Sequence, residues 1–89
     1  MSRRIFFTPK FIRHFQTRIS PHKPLVEEYI SSVDAFRADP MVVGDHVLGG
    51  SLSGRRAFWL NNEYRVVYQA QGDDLLFLDI GPHEQVYQR

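Results

Sequence analysis

At 89 residues, with 43% hydrophobic and 24% charged side chains, the chain has room for one modest core and reads as a single domain spanning 1–89. It holds no cysteine, which excludes disulfides and thiolate metal sites, and no apolar run nears the roughly 18 residues that span a bilayer. The formal net charge of +1 hides a segregation: residues 1–24 carry six cations and no acid, residues 25–45 sum to −4, and residues 46–89 to −1.

The basic beginning suits either a phosphate-bearing partner or a solvated helix face. Its apolar stretch, Ile5-Phe6-Phe7, is too short for the apolar region of a signal peptide, so a cytoplasmic protein is expected. That same stretch predicts a short first strand. Thr8 followed by Pro9 is a helix start, a hydroxyl N-cap before a proline whose missing N–H costs nothing there. Phe11, Ile12, Phe15 and Ile19 then recur at spacings of three and four, giving one apolar helical stripe.

Ser20-Pro21 repeats the cap signal, and Leu25, Val26, Tyr29, Ile30, Val33 and Phe36 carry a second helix up to Asp39-Pro40, where the residue before proline leaves the helical region. After residue 54 the period falls to two. Arg56, Phe58 and Leu60 alternate with Ala57 and Trp59, Asn61-Asn62 makes a turn, and Tyr64 to Gln69 is rich in β-branched and aromatic residues. Gly72-Asp73-Asp74 is the next turn. Leu75 to Ile80 reads as a central strand covered on both faces; Gly81-Pro82 ends it, and Glu84 to Tyr87 predicts a short edge strand. The sum is an α+β domain: N-terminal strand, helix hairpin, then antiparallel β meander, with the helices on one sheet face and the other face partly open for a site.

Several residues stand out against that scaffold. Arg65 interrupts an apolar strand, where it either pairs with Glu63 or Asp79 across the sheet or presents its planar fork of donors to a phosphate. His46 and His83 are flanked by glycine-containing turns, and histidine's ordinary pKa of about 6.5 lets two of them share the roles of base and acid. His14 and His22 read as surface residues. Trp59 and Tyr87 offer aromatic faces for a base, although for Trp59 core packing is the stronger reading. A metal site from His46, Asp79, His83 and Glu84 lacks any compact ligand motif, and none is expected.

The runs His46-Val-Leu48-Gly-Gly50-Ser-Leu52-Ser-Gly54, Tyr64-Arg65-Val-Val-Tyr68 and Gly81-Pro-His83-Glu-Gln-Val-Tyr87, in that order, resemble the RelE/ParE superfamily of type II toxin–antitoxin toxins. The likeness is nearest to its mRNA-cleaving branch, of the RelE, YafQ and YoeB kind. It implies a cofactor-free endoribonuclease acting on mRNA in the ribosomal A site and partnered by an antitoxin, with no membrane association. By position, His83 would be the general acid, Arg65 the stabiliser of transition-state charge, and Tyr87 the residue that orients or stacks substrate. His46 or Glu63 would be the base, and Arg56 would hold a phosphate, with Trp59 beside it in substrate binding. The chain departs from the pattern where RelE-type members carry two lysines, having Arg56 and Phe58, and where the YafQ type has histidine and aspartate, having Trp59 and Glu63. Two other expectations keep the fold and change the function: a ParE-like inhibitor of DNA gyrase, and a non-catalytic antitoxin- or RNA-binding relic.

Overall fold

The structure is a computed structural model that describes residues 4–50 and 54–87. Arg3, the Ser51-Leu52-Ser53 part of the first motif, and Arg89 lie outside the described residues.

Strand β1 (Ile5–Phe7) leads into helix α1 (Pro9–His14), a π-helical turn (Phe15–Ile19) and helix α2 (Lys23–Ala38). A 3₁₀ turn (Pro40–Val43) precedes strands β2 (His46–Val47), β3 (Arg56–Trp59), β4 (Tyr64–Gln71) and β5 (Asp74–Pro82), and helix α3 (His83–Val86) follows. The five strands form one sheet in the order β1-β5-β4-β3-β2. The meander β3–β5 is antiparallel as expected; β2, not foreseen, adds antiparallel to β3, while β1 adds to β5 in parallel, making the sheet mixed.

Alternation along the strands sorts the two faces. Phe58, Val66, Tyr68, Phe77 and Ile80 point to the helices and pack with Phe11, Ile19 and Phe36 into the main core. Stacking of Phe36 on Phe58, with ring centroids 4.4 Å apart, joins α2 to the sheet centre. On the other face a small second cluster of Leu48, Ala57, Val67 and Val86, with Leu78 and Tyr87 against it, seats α3 on the strands.

Three local expectations are corrected. The Ser20-Pro21 cap is not used: the first helix runs on through a π turn, closed by Ser20 N–H donating to Phe15 O at 2.8 Å, and α2 starts later with Pro24 in its first turn. The extra residue of that turn brings Ile19 wholly into the core. Residues 84–87 are not an edge strand. β5 continues through Pro82, and α3 then turns back so that Val86 reaches the apolar strip of the open face. His14 is not a free surface residue. Its Nδ1 lies 2.6 Å from Asp79 Oδ1, because residues 10, 14 and 18 form one helical stripe facing the edge of β5.

Candidate functional site

The site grows from the turn between β3 and β4. Asn61 organises it as an Asx turn: its side-chain oxygen accepts the backbone N–H groups of Glu63 and Tyr64, both at 2.8 Å. Two contacts from α2 hold the turn in place, Ser32 Oγ to Leu60 O at 3.1 Å and Asn61 Nδ2 to Glu28 Oε2 at 2.6 Å. Neither Asn61 nor these α2 partners was singled out as part of a site; the Asn-Asn dipeptide was the one local signal.

Arg65 lies in β4 opposite Trp59 in β3 and opposite Gly81 in β5. Its Nη1 donates to Asn61 O at 2.8 Å and Tyr64 O at 3.1 Å, and its guanidinium carbon sits 5.2 Å from the centroid of the Trp59 ring. The two cross-sheet carboxylates considered for it do not pair with it. Among the described residues Arg65 forms no ion pair, and Asp79 is taken by His14, with Lys10 and Arg18 within 4 Å. A half-buried cation held by two carbonyls and one aromatic face keeps donors free for an incoming anion.

His83 opens α3 just past Gly81 and Pro82, and its backbone N–H donates to Glu63 O at 2.8 Å, tying the end of β5 to the β3–β4 turn. Its imidazole meets the Tyr87 ring edge-on, with centroids 4.4 Å apart. The Tyr87 hydroxyl is buried and has no hydrogen-bond partner among the described residues. Burial pushes its phenol above the ordinary value, and the nearby Arg65 charge only partly offsets this. Asn62, Glu63, Arg65, Pro82, His83, Glu84 and Gln85 line one open groove. Glu63, Arg65 and His83 thus share a wall, with Tyr87 behind it.

His46 reaches this face from the other side. It pairs with Ala57, which pairs with Val67, so register puts His46 on the same face as Arg65, two strands or about 10 Å away across the sheet. Its Nδ1 contacts Gly44 O at 2.9 Å. A carbonyl can only accept, so Nδ1 carries the hydrogen and the neutral ring keeps a lone pair at the exposed Nε2.

Arg56 lies elsewhere. It pairs with Tyr68, whose ring is in the main core, so its side chain leaves on the helix side of the sheet. There Nη2 meets Asp45 Oδ2 at 2.6 Å, and Tyr68 donates to Asp45 Oδ1 at 2.6 Å. These bonds to Asp45 and Tyr68 hold the guanidinium above its usual pKa. This geometry does not offer Arg56 to a phosphate beside Arg65; it pins Asp45, the residue before His46. Trp59 is 44% exposed, but its ring lies beside Arg65 and against Gly44, not as an open platform. Among the described residues no three His, Asp or Glu side chains gather as a metal site requires.

No family model matches the sequence, and no curated protein matches it either. Solved structures do. YafQ from E. coli strain BL21(DE3) superposes with a TM-score of 0.79 at 19% identity, over 98% of this chain and 100% of that one. YafQ in the E. coli DinJ–YafQ toxin–antitoxin complex gives 0.77 at 20%, over 99% and 100%. The YoeB–YefM complex from Staphylococcus aureus gives 0.73 at 16%, over 93% and 99%. The superpositions run along almost the whole length of both chains: this chain has the RelE-like fold of the YafQ and YoeB toxins.

Proposed function

We propose that the chain is the toxin of a type II toxin–antitoxin pair, a metal-independent endoribonuclease that cuts mRNA in the ribosomal A site of the cytoplasm. A protein antitoxin is its partner. The shared fold supports this, as does the capture of YafQ with DinJ and of YoeB with YefM in solved complexes. The observation that carries the chemical reading is Arg65: a guanidinium without a carboxylate partner among the described residues, half-buried in a groove whose wall it shares with His83.

In this reading the ribose 2′-oxygen attacks the adjacent phosphorus while the bond from phosphorus to the 5′-oxygen breaks. The products are a 2′,3′-cyclic phosphate and a 5′-hydroxyl. His83 gives its proton to the departing 5′-oxygen. Arg65 stabilises the charge that gathers on the phosphoryl oxygens in the transition state. His46, whose neutral ring has its lone pair at Nε2 because Nδ1 donates to Gly44 O, takes the 2′-hydroxyl proton, with Glu63 as the other candidate base. Tyr87 holds the His83 ring edge-on.

The test is to induce wild type and His83→Ala in bacteria and to map new mRNA 5′ ends. Because His83 is exposed, the mutant should fold, and cleavage should fall at least about tenfold, positioned acid–base groups contributing roughly 100-fold or more. New ends inside reading frames for wild type, and their loss in the mutant, would support the reading. Growth arrest with intact mRNA and damaged chromosomes would move the chain to a gyrase-directed toxin.

A further inference from the structure

Two features touch the reacting residues without taking a chemical step themselves: the left-handed Gly44 and the indole of Trp59. Gly44 closes the 3₁₀ turn before β2 at φ +68°, and a Cβ built there would come within 2.8–3.1 Å of three indole atoms. The Trp59 ring therefore lies directly against the Gly44 backbone. Elsewhere the same ring faces the Arg65 guanidinium at 5.2 Å. Gly44 also supplies the carbonyl that accepts from His46 Nδ1 at 2.9 Å. One side chain thus touches both the peptide that fixes the His46 tautomer and the cation that faces the groove.

The sequence around Trp59 has the same logic. β3 ends at this residue, its neighbours Phe58 and Leu60 are buried, and its Cα partner is Arg65. A tryptophan left 44% exposed at the end of a strand does little for the core. Its rigid plane, however, fills the gap between a turn on one edge of the sheet and a strand two positions inward. A flexible aliphatic side chain would leave the Gly44 peptide free to rotate its carbonyl and would give the guanidinium no π face.

We infer that Trp59 is a positioning residue, an aromatic spacer that sets the Gly44–His46 turn and the Arg65 guanidinium in register with each other. The inference rests on the nuclease reading for its kinetic consequence, but its structural half stands independently. It competes with the expectation that Trp59 stacks a base of the substrate, and the two roles divide differently between kcat and KM.

The experiment compares wild type, Trp59→Phe and Trp59→Leu in two ways. The first is the ¹⁵N spectrum of the His46 imidazole in the neutral form, assigned with His46→Gln. Wild type should show the Nδ1–H tautomer, Trp59→Phe should keep it, and Trp59→Leu should shift toward the Nε2–H form that free histidine favours. An unchanged tautomer in Trp59→Leu would overturn the inference. The second is cleavage of mRNA on programmed ribosomes. Trp59→Leu should lower kcat about tenfold to 100-fold with KM unchanged, since small misplacements of reacting groups cost this much. Trp59→Phe should recover most of it. A rise in KM with kcat kept would instead make Trp59 a base-stacking residue and sink the inference. Should wild type cut no mRNA at all, the functional reading fails, while the imidazole spectrum still decides whether Trp59 positions His46.

Discussion

Arg65 and Arg56 show how little a residue type says until its partners are known. Both are arginines in neighbouring strands, yet one is bound to a buried carboxylate and the other is held by carbonyls and an indole. The guanidinium of Arg65 uses Nη1 for Asn61 O and Tyr64 O, so only its remaining donors face the groove. A lysine there would have to choose, because one ammonium cannot bind both carbonyls and also grip a phosphate as a planar fork. Arg65→Ala should reduce turnover by about 100-fold to 1,000-fold, as loss of one transition-state donor does elsewhere, and Arg65→Lys by less. Single-turnover cleavage rates on programmed ribosomes check this; equal, full retention in both variants would make Arg65 structural. Arg65 was visible in the sequence because it interrupts an apolar strand, and His83 because of the Gly-Pro turn before it. The fate of Arg56 was not visible, since it depends on Asp45 and Tyr68, eleven and twelve residues away, and on which sheet face the register assigns. His14 was misjudged for the same reason: the partner that draws it inward, Asp79, is 65 positions along the chain.

At the scale of elements, the join between α1 and β5 carries a cost that β1 alone does not cover. β1 pairs with β5 only from Leu75 to Phe77, which leaves the next carbonyls of that edge without a strand partner. The N-cap of α1 and the π turn after it take over: Thr8 Oγ1 donates to Leu78 O at 3.0 Å, and Arg18 Nη1 to Ile80 O at 2.9 Å. Asp79, 5% exposed, sits between them and gathers His14, Lys10 and Arg18. Asp79→Ala leaves Lys10 and Arg18 facing one another beside His14, and breaking a buried pair from one side should cost about 3 kcal/mol. Asp74→Ala removes an ion pair with Arg4, itself 75% exposed, and should cost less than about 1 kcal/mol. Urea titrations with unchanged slopes would measure both; similar midpoints would refute the contrast. The first helix was legible because Thr8-Pro9 is a local signal, and the cap forms as read, with Phe11 N–H donating to Thr8 Oγ1 at 3.1 Å. The last element was not. Val86-Tyr87 after Gly81-Pro82 suits a strand by residue type, but Val86 finds its apolar partners in Leu48, Ala57 and Val67, and only a helical turn carries it there. The two-residue β2 escaped notice likewise, being fixed by the Asp45–Arg56 pair and not by its own composition.

Taken as a whole, the molecule is small enough that the state of a few buried phenols matters to its stability. Burial pushes Tyr29 up from 10.0 to about 12, with the Arg37 charge opposing it, and burial also raises Tyr68 and Tyr87. Each of these groups is neutral when protonated, so the folded chain keeps protons that the unfolded chain gives up at about pH 10. Their contribution is complete below that pH and is lost as pH rises through the folded values. Stability should therefore hold up to about pH 10 and decline between pH 10 and 12, more steeply than lysine deprotonation alone would cause. Tyr29→Phe should flatten part of that decline, because phenylalanine keeps the ring packing against Phe15 but has no proton to lose. Denaturant midpoints taken from pH 9 to 12 for the two proteins decide it: superimposable slopes would remove Tyr29 from the alkaline transition. Tyr68 gives the same transition a local consequence. Its hydroxyl donates to Asp45, so an ionised Tyr68 would set two anions side by side with only Arg56 between them. Burial raises Tyr68 at least as far as Tyr29 and its ring packs in the main core, so the turn that carries His46 should loosen together with that core. The His46 ring resonance should therefore broaden or move with the loss of the Phe36–Phe58 stack, and a move well ahead of it would show that the turn opens on its own.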